Sequence, residues 1–362
     1  MAEPETRFHK ALLEDVPPEA GAGDDVWLSY ALSTNERGAQ VVAKVQEFTP
    51  DLRGLRLLDI GSGYGGVCIA AARAGAAAVG IEVDPSLRRL AELNLADFPA
   101  LPVRFSDADA MDWTRLSALG RFDVITCDNV IEHVSRPPVL LAHARRLLEP
   151  DGLLYLTVPN AFSFGQITKE CHYGQFGLSL LDADDGERWL RELCLQPSYD
   201  VSVYLRLAEY ESLLARYGLH AKMLNPVGTA DEEVDRVRAA RREVEQARVA
   251  ATVPASLRSK LDRFLDRQLA CCDADLAFFD ALAGGHEREL FGQALGQTYF
   301  TELWYFVASP DAGRFDAWPA ATARERGLTF GDVLRVARGV GARAKELAGR
   351  AITRTQNVGP AP

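Results

Sequence analysis

From residue 55 the chain alternates short apolar runs with longer stretches in which apolar residues recur every three or four positions. The short runs are 55–60 (LRLLDI), 77–83 (AAVGIEV), 102–108 (PVRFSDA), 122–128 (FDVITCD) and 153–159 (LLYLTVP). The run 55–60 reads as a buried strand and the others as further strands. The periodic stretches at 64–75, 85–98 and 137–152 read as helices. Pro85 suits a first helical turn, and Gly75 suits a stop. Strand and helix in alternation predict an α/β fold, a parallel sheet with helices on both faces.

The pattern changes outside this block. Ser33 or Thr34 can cap a helix carrying Val41, Val42, Val45 and Phe48 on one side. Residues 1–25, rich in Pro, Gly and acids, predict a loose segment. Residues 207–219 predict a helix, 220–226 a strand and 301–310 (TELWYFVASP) a strong strand. Between the last two lies a helical insertion, about 228–298. Its apolar stripe (Leu257, Leu261, Phe264, Leu265, Leu269, Leu276, Phe279, Leu282) must pack on something. The insertion is either a packing or homo-oligomer surface, or a lid over a substrate. Residues 311–362 predict one helix (328–350) and a disordered end. The organisation expected is thus an N-terminal segment and helix (1–50), a core (51–310) and a C-terminal helix and tail (311–362). No internal repeat is visible.

At 362 residues, 48% hydrophobic and 25% charged, the chain has enough apolar residues for a large core. A net charge of −11 argues against a nucleic-acid partner. Arg236, Arg238, Arg241, Arg242 and Arg248 alternate with Asp235, Glu243 and Glu245, as on a solvated helix face. Six dispersed cysteines include no C-x-x-C pair, the N-terminus has no apolar signal core, and no long uncharged apolar window occurs. These features predict a cytoplasmic protein with no membrane span.

The run LLDIGSGYGG (57–66) closes the first strand and opens a helix. Glycine there lets a ligand approach bare backbone beside unpaired helix N–H groups. Gly61-x-Gly63-x-x-Gly66, with Glu82 about 20 residues on, fits NAD, FAD and S-adenosylmethionine alike. Asp59 discriminates among them, since a carboxylate at that point repels a pyrophosphate and suits an amino group. Asp107, ending the third strand, offers an acceptor to an adenine amino group.

With FDVITCDNVIEHV and LLEPDGLLYLTVPN following in register, residues 55–160 resemble the class I S-adenosylmethionine-dependent methyltransferases. LLDIGSGYGG, VGIEVD and FSDADAMD are similar to their first three motifs. The resemblance implies a Rossmann-like, seven-stranded, mostly parallel sheet whose last strand, TELWYFVASP, runs antiparallel. It also implies roles. Asp59, Gly61 and Gly63 would meet the methionine end, Glu82 the ribose hydroxyls, Asp107 and Ala108 the adenine. Asp128 would line the methionine moiety.

Methyl transfer from a sulfonium is an in-line displacement, and a hydroxyl acceptor must lose its proton. NVIEHV resembles an E-x-x-E-H run of small-RNA 3′-end methyltransferases and ubiquinone-biosynthesis O-methyltransferases, with Asn129 in place of the first acid. The resemblance implies that Glu132, His133 and His172 either hold a divalent metal such as Mg²⁺ or supply a base; a structural role for His133 is the third reading. Phe162, Phe164, Tyr173 and Phe176, beside Lys169, Glu170 and His172, form either an acceptor pocket or core. Glu170 is a further base candidate for a carbon or nitrogen acid. The leading expectation is methyl transfer to a small-molecule hydroxyl. The alternatives are C- or N-methylation, a silent cofactor-binding scaffold, and a nicotinamide-dependent oxidoreductase.

Overall fold

The computed structural model describes residues 6–15, 28–195 and 198–316. Seven strands form one sheet: β1 (Arg56–Ile60), β2 (Ala77–Ile81), β3 (Val103–Ser106), β4 (Phe122–Asp128), β5 (Leu148–Pro159), β6 (His220–Met223) and β7 (Leu303–Ser309). Their order is β3-β2-β1-β4-β5-β7-β6. The pairs β1–β2, β2–β3, β1–β4 and β4–β5 are parallel. β7 runs antiparallel to both β5 and β6, as the sequence predicts for the last strand.

The unbroken apolar strands are explained by what lies on each side. Leu58, Ile60, Ile125, Cys127, Leu154 and Leu156 face a core completed by α5 (Trp113–Ser117), α6 (Pro137–Leu147) and α9 (Leu207–Arg216). Their neighbours Leu57, Val124, Leu153 and Tyr155 face the opposite core, built on α2 (Thr34–Gln46) and α3 (Gly66–Arg73). Adjacent side chains point to opposite faces, so both must be apolar. α4 (Pro85–Ala96) starts at Asp84, whose carboxylate accepts from the N–H groups of Ser86 and Leu87.

The helical insertion consists of α10 (Ala230–Ala250), α11 (Ala255–Ala281) and α12 (His286–Tyr299). With α7 (Phe164–Thr168) and α8 (Ala183–Glu192) it encloses a separate core that takes up Leu257, Leu261, Leu265, Leu269, Leu276 and Phe279. Three of the α10 arginines are not simply solvated. Arg238 pairs with Asp280, Arg241 with Asp273, and Arg248 with Asp262 and Asp266, all across to α11.

Three local expectations need correction. The N-terminal segment is not all loose, because α1 (Arg7–Asp15) packs Phe8, Ala11 and Leu12 with Tyr64 and Leu90. Its first N–H groups, from Arg7 and Phe8, are taken up by Asp97. The helix predicted over 137–152 stops at Leu147, since Leu148 turns extended and already pairs with Phe122 in β5. The sequence predicts no helix at α5, α7 or α8. The helix expected at 328–350 lies outside the described residues. Among the described residues no helix is long and apolar enough to cross a membrane.

Candidate active site

Of the four glycines in the turn after β1, Gly65 (φ +79°) packs against Phe105, and the other three do three different things. Gly61 has φ +67°, and a Cβ there would fall 2.5 Å from Val130 Cγ2. Gly63 has φ +49° and faces open space, with no heavy atom within 4 Å of a Cβ position. Gly66 instead serves packing: a Cβ there would sit 2.1 Å from the Thr34 carbonyl oxygen. Gly61 thus makes room for Val130, and of these three only Gly63 faces open space.

Carboxylates ring that space. Asp59 is 3% exposed. The Thr126 hydroxyl donates to its Oδ1 at 2.7 Å. Burial pushes its carboxyl up to about 7 despite that hydrogen bond, and Asp128 and Glu82 push the same way. Glu82 Oε2 accepts the Gly63 N–H at 3.0 Å and Oε1 the Asp84 N–H at 2.9 Å. The Asp128 carboxyl is raised by burial, partly offset by the Arg37 guanidinium. Asp59, Glu82 and Asp128 thus place three acids about the turn.

The end of β3 looks different. Asp107 is exposed and paired with Arg115, which holds its carboxyl below the usual range. The Ala108 N–H donates to Ser106 Oγ at 3.2 Å. Two groups absent from the sequence reading also border the site. Val83, beside Glu82, leaves 61% of its surface exposed, an apolar face available to a planar base. Arg37 comes from α2, its guanidinium 3.3 Å from the Tyr30 ring centre and its buried Nε without a hydrogen-bond partner. A lone arginine before the first strand carries no sequence signal for this placement.

A second group of side chains gathers beyond β4 and β5. Glu132 is fully buried, and neither carboxylate oxygen has a hydrogen-bond partner. Burial raises its pKa, while His133 and His172 lower it. The Nε2 atoms of His133 and His172 each lie 3.8 Å from Glu132 Oε1. The two imidazoles meet edge to face, with centres 4.9 Å apart. His133 Nδ1 lies 3.1 Å from the Asp200 carbonyl oxygen.

His172 Nδ1 lies 2.6 Å from Glu170 Oε1. Burial works against its imidazolium, yet hydrogen bonds with Cys171 and Glu170 keep its pKa well above the ordinary histidine value. One ligand atom each from Glu132, His133 and His172 falls within 4.8 Å of the others, a donor set able to hold a divalent cation. The orphaned Glu132 oxygens fit such an ion, because a buried carboxylate without donors is otherwise costly.

The sequence places Glu170 among the bases; the structure surrounds it with donors. Besides His172 Nδ1 it accepts the Tyr204 hydroxyl and the backbone N–H groups of His172 and Tyr173. These hold its carboxyl below the ordinary range in spite of burial. Of the four aromatics at 162–176, Phe164 and Phe176 are core, whereas Phe162 and Tyr173 are half-buried. Phe162 lies under the Arg206 guanidinium, and Tyr173 donates to Asp200.

A parallel sheet with one reversed strand, a glycine turn and an acid just after β2 match the Rossmann-like fold expected of S-adenosylmethionine-dependent methyltransferases. The family described as "Methyltransferase domain" matches residues 20–221, more than half of the chain, and the chain belongs to that family. It is similar to the ubiquinone biosynthesis O-methyltransferase of Cereibacter sphaeroides, 32% identical over 180 residues, 48% of this chain and 66% of that protein. It is also similar to the protein of that name from Thiobacillus denitrificans, 27% identical over 202 residues, 53% of this chain and 80% of that one. For the Xanthomonas oryzae relative the chain spans only 51% of its length. Among solved structures, magnesium protoporphyrin IX methyltransferase from Synechocystis with bound S-adenosylhomocysteine shares 17% identity at a TM-score of 0.40, over 61% of this chain and 86% of that one.

Proposed function

We propose that the chain transfers the methyl group of S-adenosylmethionine to a hydroxyl oxygen of a small-molecule acceptor. The observation that carries this reading is Glu132: a buried carboxylate with two unpartnered oxygens, turned toward His133 and His172. The group stands at the carboxyl end of β4, next to the acids around the glycine turn. A sulfonium and an ammonium are both cations, and Asp59, Glu82 and Asp128 supply the opposite charge. In this reading Glu82 takes the ribose hydroxyls and Gly61 and Gly63 admit the methionine end. Asp107 and Ala108 meet adenine once Arg115 and Ser106 share them. Arg37 pairs with the cofactor carboxylate through its unpartnered Nε.

The chain's own groups must orient the acceptor and remove its proton. His133 presents Nε2 toward the site, because its Nδ1 faces the Asp200 carbonyl, an acceptor that fixes Nδ1 as the N–H. A neutral Nε2 accepts the hydroxyl proton as the oxygen attacks in line with the departing sulfur. Glu132 stabilises the imidazolium that results. If a divalent ion is bound, Glu132, His133 and His172 hold it, and it lowers the pKa of the acceptor hydroxyl. Names of relatives favour oxygen as the acceptor atom, and the net charge of −11 favours a small molecule over nucleic acid.

The test is incubation with isotopically labelled S-adenosylmethionine and a panel of phenols, sugars and lipids. Methylated oxygen in the product supports the reading. Methylation confined to nitrogen or carbon, or cofactor binding with no turnover on any acceptor, defeats it.

A further inference from the structure

We infer that Glu170 and Tyr204 are positioning residues that lock the His172 imidazole with Nδ1 protonated and Nε2 aimed at Glu132 and His133. Glu170 is 1% exposed and its carboxylate is immobilised twice. Oε2 accepts the backbone N–H groups of His172 (3.0 Å) and Tyr173 (2.7 Å), which fold the side chain over the turn that follows it. Oε1 is left for His172 Nδ1 (2.6 Å) and the Tyr204 hydroxyl (2.9 Å). A carboxylate accepts about four hydrogen bonds, and all are in use. Glu170 therefore has no free lone pair for a substrate proton. An ionised carboxylate also cannot donate, so the Nδ1 contact requires the proton on Nδ1.

Tyr204 lies on the segment 198–206, outside helix and strand, which contacts the other imidazole as well. The Asp200 carbonyl faces His133 Nδ1 at 3.1 Å. The Ser202 and Val203 N–H groups donate to the Glu132 carbonyl at 2.8 and 3.1 Å. The Ser202 hydroxyl donates to the His133 carbonyl at 3.0 Å. One segment thus meets Nδ1 of His133 directly, and Nδ1 of His172 both through Glu170 and through the Tyr204 hydroxyl at 3.1 Å, with the Cys171 thiol also 3.3 Å from that nitrogen. Both Nε2 atoms are left converging on the unpartnered oxygens of Glu132. Partners of this kind, one bond removed from the ligand atoms, typically change metal affinity 10- to 100-fold when lost.

The inference rests on the proposed role of Glu132, His133 and His172 as a cation or base site, and its test separates the two. Mn²⁺ alone is titrated calorimetrically into the full chain, with S-adenosylhomocysteine affinity as the check on folding. Glu170→Gln is expected to weaken Mn²⁺ binding about 10- to 100-fold, with nucleoside affinity unchanged. Tyr204→Phe is expected to weaken it about 2- to 12-fold. In a His172→Ala background neither substitution should move the residual affinity by more than about 2-fold, since a positioning role vanishes with its object. Equal losses with and without His172 would make the pair merely structural and overturn the inference. Imidazole ¹⁵N shifts of the metal-free protein, recorded where the ring is neutral, give a readout that needs no metal. A pyridine-type Nε2 in the wild type, losing population to Nε2–H in both variants, supports the inference; an unchanged tautomer overturns it. Failure of the wild type to take Mn²⁺ removes the cation reading and leaves the tautomer to decide the positioning role.

Discussion

Asp59→Asn tests the electrostatics of a carboxylate buried at the end of β1. The side chain is buried in the sheet, on the same face as Thr126, and burial lifts its carboxyl from an ordinary 3.8 to about 7. A rise of that size corresponds to at most about 4 kcal/mol of differential stability between the two protonation states. The sign follows from proton counting. Between pH 3.8 and about 7 the folded chain keeps a proton that the unfolded chain has lost. Stability from this group is therefore full below pH 3.8 and declines by about 1.4 kcal/mol per pH unit until the folded group ionises. Asparagine keeps the acceptor for the Thr126 hydroxyl and removes the ionisation. The assay is urea unfolding of wild type and variant at half-unit steps from pH 4.5 to 8. The variant should gain on the wild type steadily toward pH 7 and then run parallel to it. Parallel curves over the whole range would refute the burial argument. On the proposed cofactor reading, an ammonium group beside Asp59 favours the ionised form. Binding of S-adenosylhomocysteine near neutral pH should then release a proton from the wild type and none from the variant, as read by calorimetry in two buffers.

Glu82→Ala removes the acceptor proposed for the ribose and frees the Gly63 and Asp84 N–H groups; S-adenosylhomocysteine affinity should fall by about 1.5–3 kcal/mol, and an unchanged calorimetric Kd would count against the role. Gly66→Ala and Gly63→Ala should separate packing from ligand access. The first meets the Thr34 carbonyl at 2.1 Å and should lower the melting temperature strongly. The second meets nothing but φ +49°, so it should cost about 1–2 kcal/mol of stability while reducing nucleoside affinity. His133→Ala should cut turnover more than cofactor affinity; equal loss in both would make the residue structural. Excess chelator should abolish turnover if an ion is held, with Mn²⁺ or Mg²⁺ restoring it, and full activity in chelator would exclude the ion.

The central strands β1, β4 and β5 were legible because two-sided burial leaves a largely apolar run, and the glycine turn because only bare backbone tolerates its φ values. The errors have physical causes too. α1 was hidden by its polar, acidic surroundings, and its helix depends on Phe8 and Leu12 meeting Tyr64 and Leu90 from far along the chain. The start of β5 was hidden because Glu149, Pro150, Asp151 and Gly152 read as a turn, whereas Leu148 is drawn into register by Phe122. The proposed acceptor side was legible only in part. Glu132, His133 and His172 could be named from residue type, yet the reason Glu170 is not a free base lies in four donors that no spacing reveals. Arg37 and Tyr204 gave no signal at all, since an isolated arginine or tyrosine becomes informative only when its neighbours in space are known.

The division between legible and illegible follows the division of labour in the molecule. The proposed cofactor groups, apart from Arg37, lie within Asp59–Asp128, on consecutive strand ends whose spacing the sheet dictates. Groups on the acceptor side come from separate segments, at 129–133, 170–173 and 198–204, whose relative positions the sheet does not dictate. Something else must hold them. The insertion does part of this: Gln268 donates to the Phe162 carbonyl at 2.9 Å, Lys260 pairs with Asp182 and Asp185, and Leu261 packs beside Gly177. These contacts tie the stretch carrying Glu170 and His172 to a core that is separate from the sheet's two cores. A change within the insertion's core can therefore shift the acceptor side while the glycine turn and its acids, fixed by β1, β2 and β4, stay where they are.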